Sequence, residues 1–365
     1  MGLRNGGSIC TKTFIDLFGE LSDEITIMTA AVLNFAFDLS RYKIIQVPPS
    51  SLFNRICKIF FGAPHRYVSY LEKNMGILDG IDTVVLSGSI LGSGIIPLIE
   101  KRGVKIITIH HNYEPRFHKD NKTLVTLKGL NIRRIFKAED LSLRKSDLNI
   151  SLTEADKMEL LKHHNNVNSN KIIIIPAILD KEFKLPNLVP IQKGKIVISG
   201  ALSDYQTYDG IKDFVQNYIK QISDLIPHFN LIIAGRNPSK SLLNYLARYG
   251  IAIIPNPKNF DDILATADIY INPTKLGSGI KLRNIDSLKW GVPIIGHHNA
   301  CIGYEPLLGT GIFEYSDSNS FRLAALSVLR SVNSRKTIQE DFYNSFSFNK
   351  MLSSLKKELT IRSLL

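Results

Sequence analysis

Glycines and cations surround one turn in the second half of the sequence. Gly277 and Gly279 follow a predicted strand and precede a helix that we expect to begin near Lys281. Free backbone N–H groups and the positive end of a helix attract an anion, and Lys281 and Arg283 add cationic donors that suit a diphosphate. Asp286, one helical turn further, would accept hydrogen bonds from ribose hydroxyls. Taken alone, the stretch fits a glycine turn beside a solvated basic helix equally well.

Two further small-residue turns follow predicted strands in the same half. Gly200 lies in the first (SGALSDYQTY), and Arg236 lies in the second (AGRN), where its side chain would project from the turn. Open α/β sheets bind ligands at the carboxyl ends of their strands. An isolated arginine after a strand is more often a surface residue, but three such turns in one domain favour a site for a nucleoside diphosphate.

A polar turn also follows a strand in the first half. The predicted strand Lys105–His110 continues into HHNYEPRF, which places His110, His111, Asn112 and Glu114 at its carboxyl end. Polar groups at this end of a strand would face a ligand. A surface histidine pair without a function is an equally good interpretation of these residues. Further along the chain, Ser151 or Thr153 is positioned to cap the next helix.

Short β-branched runs alternate with amphipathic stretches along the whole chain, which predicts the α/β class with parallel sheets. The near-continuous Ile and Val runs indicate strands that are buried on both faces. The predicted strands are Ile25–Thr29, Lys43–Val47, Thr83–Ser87, Lys105–His110, Leu148–Ser151, Lys171–Ile175, Lys195–Ser199, Asn230–Ala234, Ile251–Ile254, Ile269–Asn272 and Pro293–Gly296. Helices are predicted over Thr11–Leu21, Asp209–Ile222, Asp261–Ala267 and Ile338–Leu365.

The chain of 365 residues is long enough for two domains. We expect a first Rossmann-like domain over 1–182, a Pro-containing linker over 183–194, and a second Rossmann-like domain over 195–340. The last helical stretch, 341–365, would pack back on the first domain. Only MGLRN precedes Gly6-Gly7 and the first helix, so the first strand is very short, supplied differently or lost.

Five blocks between Ser199 and Ile295 together resemble the nucleotide-sugar-binding half of retaining glycosyltransferase family 4, which has the GT-B fold. The blocks are SGALSDYQTY, AGRNP, ADIYINP, GSGIKLRNID and WGVPII, in the order and spacing of the family. Two departures stand out. Asp286 replaces the glutamate that the family uses on the nucleotide ribose, and Thr207-Tyr208 stand where Pro-Asn is usual.

The resemblance implies a reaction and roles for particular residues. It implies two Rossmann-like domains with a deep cleft between them, and transfer of a sugar with retention of configuration and without a metal. The donor would be a nucleotide-diphosphate sugar, with UDP or GDP as candidate nucleotides and no other cofactor. It places Gly6, Gly7, Gly200, Arg236, Gly277, Gly279, Lys281, Arg283 and Asp286 at the donor, and His111, His110 and Glu114 at the reacting sugar, with His111 favoured.

The remaining expectations concern partners and location. The three cysteines lack metal-ligand spacing, and we expect reduced thiols in the cytoplasm. The net charge of +12 fits anionic ligands or an anionic membrane surface. Two basic-aromatic stretches, in 50–71 and 133–145, suggest peripheral membrane contact, although core-facing helices explain them at least as well. The acceptor would be a glycan or polyprenyl-linked molecule of bacterial surface polysaccharide synthesis, and no nucleic-acid partner is expected.

Two rival functions fit the same sequence. A non-hydrolysing sugar-nucleotide epimerase shares the fold, and a degenerate homologue would act as a scaffold or binding protein. A nicotinamide-dependent dehydrogenase is disfavoured because no Gly-x-Gly-x-x-Gly follows a first strand.

Overall fold

A computed structural model describes residues 6–30, 41–49, 66–120 and 128–365 of the chain. The chain divides into two compact units. Unit 1 contains Met1–Pro115, Leu127–Lys181 and Phe348–Leu365, and unit 2 contains Arg116–Thr126 and Glu182–Ser347. The last helix of the chain therefore belongs to the same unit as the first.

Unit 1 is an α/β unit with two parallel sheets. One sheet pairs β1 with β2, and the other has the order β3-β4-β5-β6. The strands are β1 Thr26–Thr29, β2 Lys43–Gln46, β3 Thr83–Ser87, β4 Lys105–His110, β5 Leu148–Ser151 and β6 Ile172–Ile174. The helices are α1 Gly6–Gly19, α2 Arg66–Lys73, α3 Gly92–Ile99, α4 Glu114–Asp120 (which continues into unit 2), α5 Lys128–Lys145, α6 Glu154–His163 and α15 Phe348–Ile361.

Unit 2 is built around one six-stranded parallel sheet. The strands are β7 Lys195–Ala201, β8 Asn230–Arg236, β9 Ala252–Pro255, β10 Ile269–Asn272, β11 Ile294–His297 and β12 Ile312–Tyr315. The helices are α7 Tyr205–Asn217, α8 Ile219–Leu225, α9 Lys240–Ala247, α10 Asp261–Leu264, α11 Arg283–Leu288, α12 His298–Cys301, α13 Ser318–Arg330 and α14 Arg335–Phe346. Its core contains the β-branched residues of β7, β8 and β10 together with Phe214 and Phe321.

The strand order of unit 2 is β12-β11-β10-β7-β8-β9. Numbered within the unit, this is the 3-2-1-4-5-6 order of Rossmann sheets, with the order reversing between β7 and β10. Ligands of such sheets bind outside the carboxyl ends of the strands at this switch point. The topology therefore predicts a ligand site at the residues that follow β7 and β10.

The eleven predicted strands are all present, with ends that differ by up to two residues. The strand Ile312–Tyr315 was not predicted, because its four residues include the exposed Glu314 and lack a continuous apolar run. The helix predicted over Asp209–Ile222 is two helices, because the backbone breaks at Tyr218, whose ring packs against Tyr315 and Phe321.

Other helix boundaries also differ from the prediction. The first helix begins at Gly6 rather than Thr11, so Gly6 and Gly7 lie in its first turn and not in a loop before it. The helix over Ile338–Leu365 is interrupted at Ser347, whose extended backbone separates α14 from α15. The helix predicted over Asp261–Ala267 ends at Leu264. Residues 1–5, where a first strand would lie, are outside the described residues.

The structure also describes the predicted helix cap, two of the three cysteines and part of the basic-aromatic stretches. Thr153 is the N-cap of α6, where its hydroxyl oxygen accepts the N–H of Asp156. Cys10 and Cys301 are buried free thiols, and Cys57 lies outside the described residues. So do residues 50–65 of the first basic-aromatic stretch. In the part of the chain that the structure describes, no helix is both long and apolar enough to cross a membrane.

Candidate functional site

The carboxyl end of β7 brings Gly200 against the guanidinium of Arg283. A Cβ atom at Gly200 would lie 2.8 Å from Nη1 of Arg283, so only glycine leaves room for this group. Nη2 of Arg283 donates to the hydroxyl of Thr207 (3.0 Å) and Nη1 to the carbonyl of Ser199 (3.4 Å). These two bonds leave other N–H groups of the planar guanidinium for an anion. The helix α11 begins at Arg283, two residues after the position expected from the sequence.

The glycine turn after β10 is held by side chains that bind its carbonyl groups. Gly277 and Gly279 have positive φ angles of 86° and 77°. The ammonium of Lys281, a residue only 8% exposed, donates to the carbonyls of Ser278 (2.8 Å) and Gly279 (3.0 Å). The amide of Asn299 donates to the carbonyls of Lys275 and Gly277. Lys281 thus stabilises the turn from inside, and its contact with a phosphate stays a prediction.

A buried pair of asparagines joins this turn to the sheet. Nδ2 of Asn272, the last residue of β10, donates to Oδ1 of Asn284 at 2.7 Å. Asn284 in turn donates to the carbonyl of Ala300, and Asn272 accepts the hydroxyl of Thr274. Sequence reasoning did not select Asn272, Asn284 or Asn299. Their signal is weak, since an asparagine that binds carbonyls looks the same in sequence as one that forms a turn.

One amide of the glycine turn already has an acidic partner in unit 2. The N–H of Gly277 donates to the carboxylate of Asp120 at 3.2 Å. A Cβ atom at Gly277 would overlap the amide of Gln206, so the turn is also closely packed from that side. A carboxylate at this amide shows that the turn accommodates an anionic oxygen, and a phosphate bound there would replace it.

The other two donor-side candidates of unit 2 are more exposed. Arg236 ends β8 with an exposed side chain, and its backbone carbonyl accepts the N–H of Leu202. Asp286 lies in the first turn of α11 with its side chain 45% exposed, and one carboxylate oxygen is 3.8 Å from the ammonium of Lys289. The structure therefore brings Gly200, Arg283 and the glycine turn to the sheet edge and leaves Arg236 and Asp286 accessible.

The carboxyl edge of the unit 1 sheet carries the histidine pair. His110 is the last residue of β4 and is fully buried. Its Nε2 lies 2.9 Å from Oδ1 of Asn149, whose Nδ2 donates to the carbonyl of Leu143, so Nε2 of His110 carries the proton. Burial lowers the pKa of His110 to about 4 and keeps the ring neutral near pH 7. Within the residues that the structure describes, Nδ1 of this enclosed ring has no hydrogen-bond partner.

His111 is only partly exposed, and side chains from two other elements hold its ring. Its Nε2 lies 3.0 Å from the hydroxyl of Ser87 at the end of β3, and that hydroxyl is 3.1 Å from the hydroxyl of Thr11 on α1. Burial also lowers the pKa of His111. Among the described residues, Nδ1 of His111 has no hydrogen-bond partner. Ser87 and Thr11 were not predicted, because residues 76 positions apart share no local pattern.

Glu114 begins α4 in a buried position, and its backbone N–H donates to Oε1 of Glu139 at 3.2 Å. Burial raises the pKa of Glu139, an effect that a hydrogen bond from His164 partly offsets. Gly6 and Gly7 lie in the first turn of α1. In the described part of the chain, no group of three or more His, Cys, Asp or Glu side chains could hold a metal ion.

Comparison with known proteins gives matches in structure but not in sequence. No protein-family model matches the chain, and no curated protein matches it. The structure of HepE from Anabaena in complex with UDP-glucose matches with a TM-score of 0.67 at 12% identity, covering 99% of this chain and 97% of that one. A glycosyltransferase from Rickettsia africae matches with a TM-score of 0.62 at 16% identity, covering 97% and 94%.

A longer protein matches over part of its length. The pneumococcal O-GlcNAc transferase GtfA, in complex with UDP and GlcNAc, matches with a TM-score of 0.56 at 15% identity. The match covers 82% of this chain and 60% of GtfA. At these identities the likeness shows the fold alone. It confirms the predicted fold class, and the chain is an α/β protein with the two Rossmann-like domains of the GT-B fold.

Proposed function

We propose that the chain is a glycosyltransferase that takes a sugar from a nucleotide-diphosphate sugar, with UDP as the nucleotide. The observation that carries the proposal is Arg283, whose guanidinium lies beside the Gly200 turn and Thr207 at the switch point of a Rossmann sheet. Full-length likeness to a protein crystallised with UDP-glucose supports UDP rather than GDP or ADP. The sugar transferred would be a hexose.

Within unit 2, we assign the diphosphate to Arg283 and to the amides of the glycine turn. A guanidinium binds two phosphate oxygens at once, and charge-assisted bonds of this kind are stronger than neutral ones. These groups would stabilise the negative charge that develops on the departing UDP, as preorganised donors do in other transfer reactions. Asp286 would accept from the ribose hydroxyls, and Arg236 would add positive charge. Lys281 contributes by holding the turn.

Within unit 1, we assign contact with the transferred sugar to His111, supported by the neutral His110 and by Glu114. Transfer would occur with retention of configuration and without a metal, and no protein nucleophile is proposed. The acceptor would be a glycan or polyprenyl-linked molecule of a bacterial surface polysaccharide. Exposed cations on α5, such as Arg133 and Lys137, support peripheral contact with anionic lipid, which flotation with anionic liposomes would test.

Calorimetric titration with UDP, GDP and ADP tests the donor assignment. We expect UDP to bind the wild type and Arg283→Ala to weaken binding by about 10- to 100-fold, the loss typical of a hydrogen bond to a charged group. Arg322→Ala, which removes an exposed arginine from α13, is the matched control and should leave UDP binding unchanged. Equal affinities in both variants, or no binding of any nucleotide, would contradict the proposal.

Turnover distinguishes a transferase from the rival functions. We expect UDP-glucose to release UDP only when an acceptor glycan is added, with the product anomer of the same configuration as the donor. Conversion of the sugar nucleotide without acceptor would indicate an epimerase. UDP binding without turnover over a panel of donors and acceptors would indicate a binding protein.

A further inference from the structure

His164 in unit 1 is a buried residue that the proposed reaction does not yet use. It follows α6 directly, and its side chain has no exposed surface. Nε2 of His164 lies 3.1 Å from Oε2 of Glu139, and Nδ1 lies 3.1 Å from Oδ1 of Asp140. Both ring nitrogens therefore face carboxylate oxygens on the same helix, α5.

This geometry has a consequence for the proton on the ring. An ionised carboxylate only accepts hydrogen bonds, so each ring nitrogen must carry a proton if both carboxylates are charged. Asp140 also accepts two hydrogen bonds from the guanidinium of Arg144, at 2.8 and 3.0 Å, which lowers its pKa. Glu139 accepts two further donors on Oε1, the N–H of Glu114 and the hydroxyl of Ser89. Burial raises the pKa of Glu139, and these donors act against that rise by favouring the charged carboxylate. Two charged carboxylates require a proton on each nitrogen of His164.

Aromatic rings pack against the buried His164 imidazole. The Phe136 ring stacks on His164 with centroids 4.2 Å apart, and Tyr113 approaches it edge-on at 6.3 Å. The His163 ring in turn stacks on the Tyr113 ring, with centroids 5.0 Å apart. Water is thereby kept from the imidazole, and charge-assisted hydrogen bonds are stronger in such surroundings than in water.

One of these two carboxylates, Glu139, also holds the turn that carries His111, together with Asp156. Glu139 accepts the N–H of Glu114, and Asp156 accepts the N–H of Tyr113 at 3.2 Å. Buried backbone N–H groups require a partner, so these two acceptors fix the backbone that follows β4. His164 fixes Glu139, and Glu139 fixes the turn.

We propose that His164 is a positioning residue: a doubly protonated imidazole that clamps Glu139 and Asp140 and so fixes the turn carrying His111. The assignment of His111 to the transferred sugar rests on the proposed function, whereas the clamp does not. His164 touches neither donor nor acceptor in this scheme. Its effect on transfer passes through Glu139 to the backbone N–H of Glu114.

Hydrogen exchange of the free protein tests the clamp without a substrate. In His164→Gln, both N–H donors are on one nitrogen, whereas the imidazole presents its two nitrogens to two different carboxylates. We expect the Glu114 amide, which Glu139 binds, to exchange about 10- to 100-fold faster, as for loss of a charge-assisted hydrogen bond, and the Tyr113 amide, which Asp156 binds, to change less. The control is His228→Asn, which changes an exposed histidine with a positive φ of 63°, a conformation that asparagine tolerates. Unchanged protection in His164→Gln would overturn the proposal.

A second variant keeps the hydrogen bonds but removes the charge. Glu139→Gln retains an oxygen for the Glu114 amide, and its NH2 group can donate to Nε2 of a neutral His164. We therefore expect near-normal protection of the turn in this variant. The nitrogen NMR spectrum of His164 should change from a doubly protonated ring in the wild type to a single neutral tautomer. A neutral tautomer already present in the wild type would overturn the doubly protonated clamp.

Kinetic measurements on the intact protein distinguish a positioning role of His164 from a general loss of structure in the variant. Misplacement of a reacting group by about 1 Å can cost 10²-fold in rate, so we expect His164→Gln to lower kcat about 10²-fold. UDP affinity should stay at its wild-type value because unit 2 holds the nucleotide, and Glu139→Gln should retain most of kcat. Faster exchange of the turn with unchanged kcat would overturn the link to His111. If the wild type transfers no sugar at all, the proposed function fails, and the exchange and NMR results still decide the clamp.

Discussion

Two cations of the candidate site, Lys281 and Arg283, have different hydrogen-bond partners. Lys281 has the charge and spacing of a phosphate-binding residue, yet its ammonium donates to two carbonyls of the glycine turn. Arg283, by contrast, combines two anchoring bonds with further N–H groups. Thr207, a departure from the family pattern in the sequence, supplies one of these anchors. Lys281 and Arg283 have the same charge, and they contact different groups because their side chains point in different directions.

A substitution at Lys281 separates its two possible roles. Lys281→Met keeps the aliphatic stem and removes the ammonium, leaving the carbonyls of Ser278 and Gly279 without that donor. We expect the free energy of unfolding to fall by about 1–3 kcal/mol, measured by urea denaturation, together with weaker UDP binding. Lys220→Met, on the exposed side of α8, is the control and should be neutral. Lost UDP affinity at unchanged stability would instead mean that Lys281 binds the phosphate itself.

The buried His110 should make the stability of unit 1 depend on pH. Burial lowers its pKa from 6.5 to about 4 in the folded chain. As pH falls below about 6.5, His110 binds a proton in the unfolded chain, whereas in the folded chain it binds one only near pH 4. Folding stability should therefore decrease over this window, by on the order of 3 kcal/mol in total.

Urea unfolding at a series of pH values measures this effect. His110→Gln keeps a donor for Asn149 and removes the titrating ring, so the variant should lose less stability than the wild type between pH 6.5 and 4. Carboxylates contribute to both proteins and cancel in the difference. Parallel pH profiles for the two proteins would show that His110 does not titrate in this way.

At the scale of elements, the site depends on close packing between a helix and a loop. Gly210 lies inside α7, where a Cβ atom would overlap the carbonyl oxygen of Pro273 after β10. Helix propensity alone predicts that Gly210→Ala stabilises by up to about 1 kcal/mol. The clash predicts the reverse, because overpacking costs roughly 1–3 kcal/mol.

We therefore expect Gly210→Ala to lower the melting temperature and to weaken UDP binding by displacing the loop that leads into the glycine turn. Gln216→Ala, at an exposed position of the same helix, controls for helix propensity and should be neutral or slightly stabilising. A higher melting temperature in Gly210→Ala would show that the loop can move away at no cost.

At the scale of the whole molecule, the end of the chain stabilises the beginning. Helix α15 belongs to unit 1 and packs on α1, with Leu355 fully buried, and Arg362 donates to the carbonyl of Asn170. The helix before it, α14, belongs to unit 2. A change in α15 should therefore affect the unit that is distant from it in sequence.

Leu355→Ala tests this assignment. Removal of a buried leucine side chain costs about 2–5 kcal/mol, and we expect faster hydrogen exchange in α1. Exchange in α14 and UDP affinity should be unaffected. Lys356→Ala, next along the helix and exposed, should be neutral. Faster exchange throughout unit 2 would show that α15 stabilises the other unit instead.

The fold class and the positions of most strands follow from local patterns in the amino-acid sequence. Runs such as Lys105–His110 and Asn230–Arg236 are buried on both faces of parallel sheets, so almost every residue carries the signal. The glycine turn and Arg283 could also be identified, because turn chemistry and a following helix are local features of the chain. Short elements with mixed exposure, such as Ile312–Tyr315, were not predicted, because they lack a continuous apolar run.

The directions of polar side chains, and which of them meet, depend on tertiary contacts. Thr11, Ser87 and His111 come from three separate elements, and Glu139 and His164 from two. Hydrogen bonds are short and directional, so a side chain's role depends on partners that sequence spacing does not bring together. The direction of the Lys281 ammonium and the two carboxylate partners of His164 depend on such contacts, and for that reason they emerge only once the chain is folded.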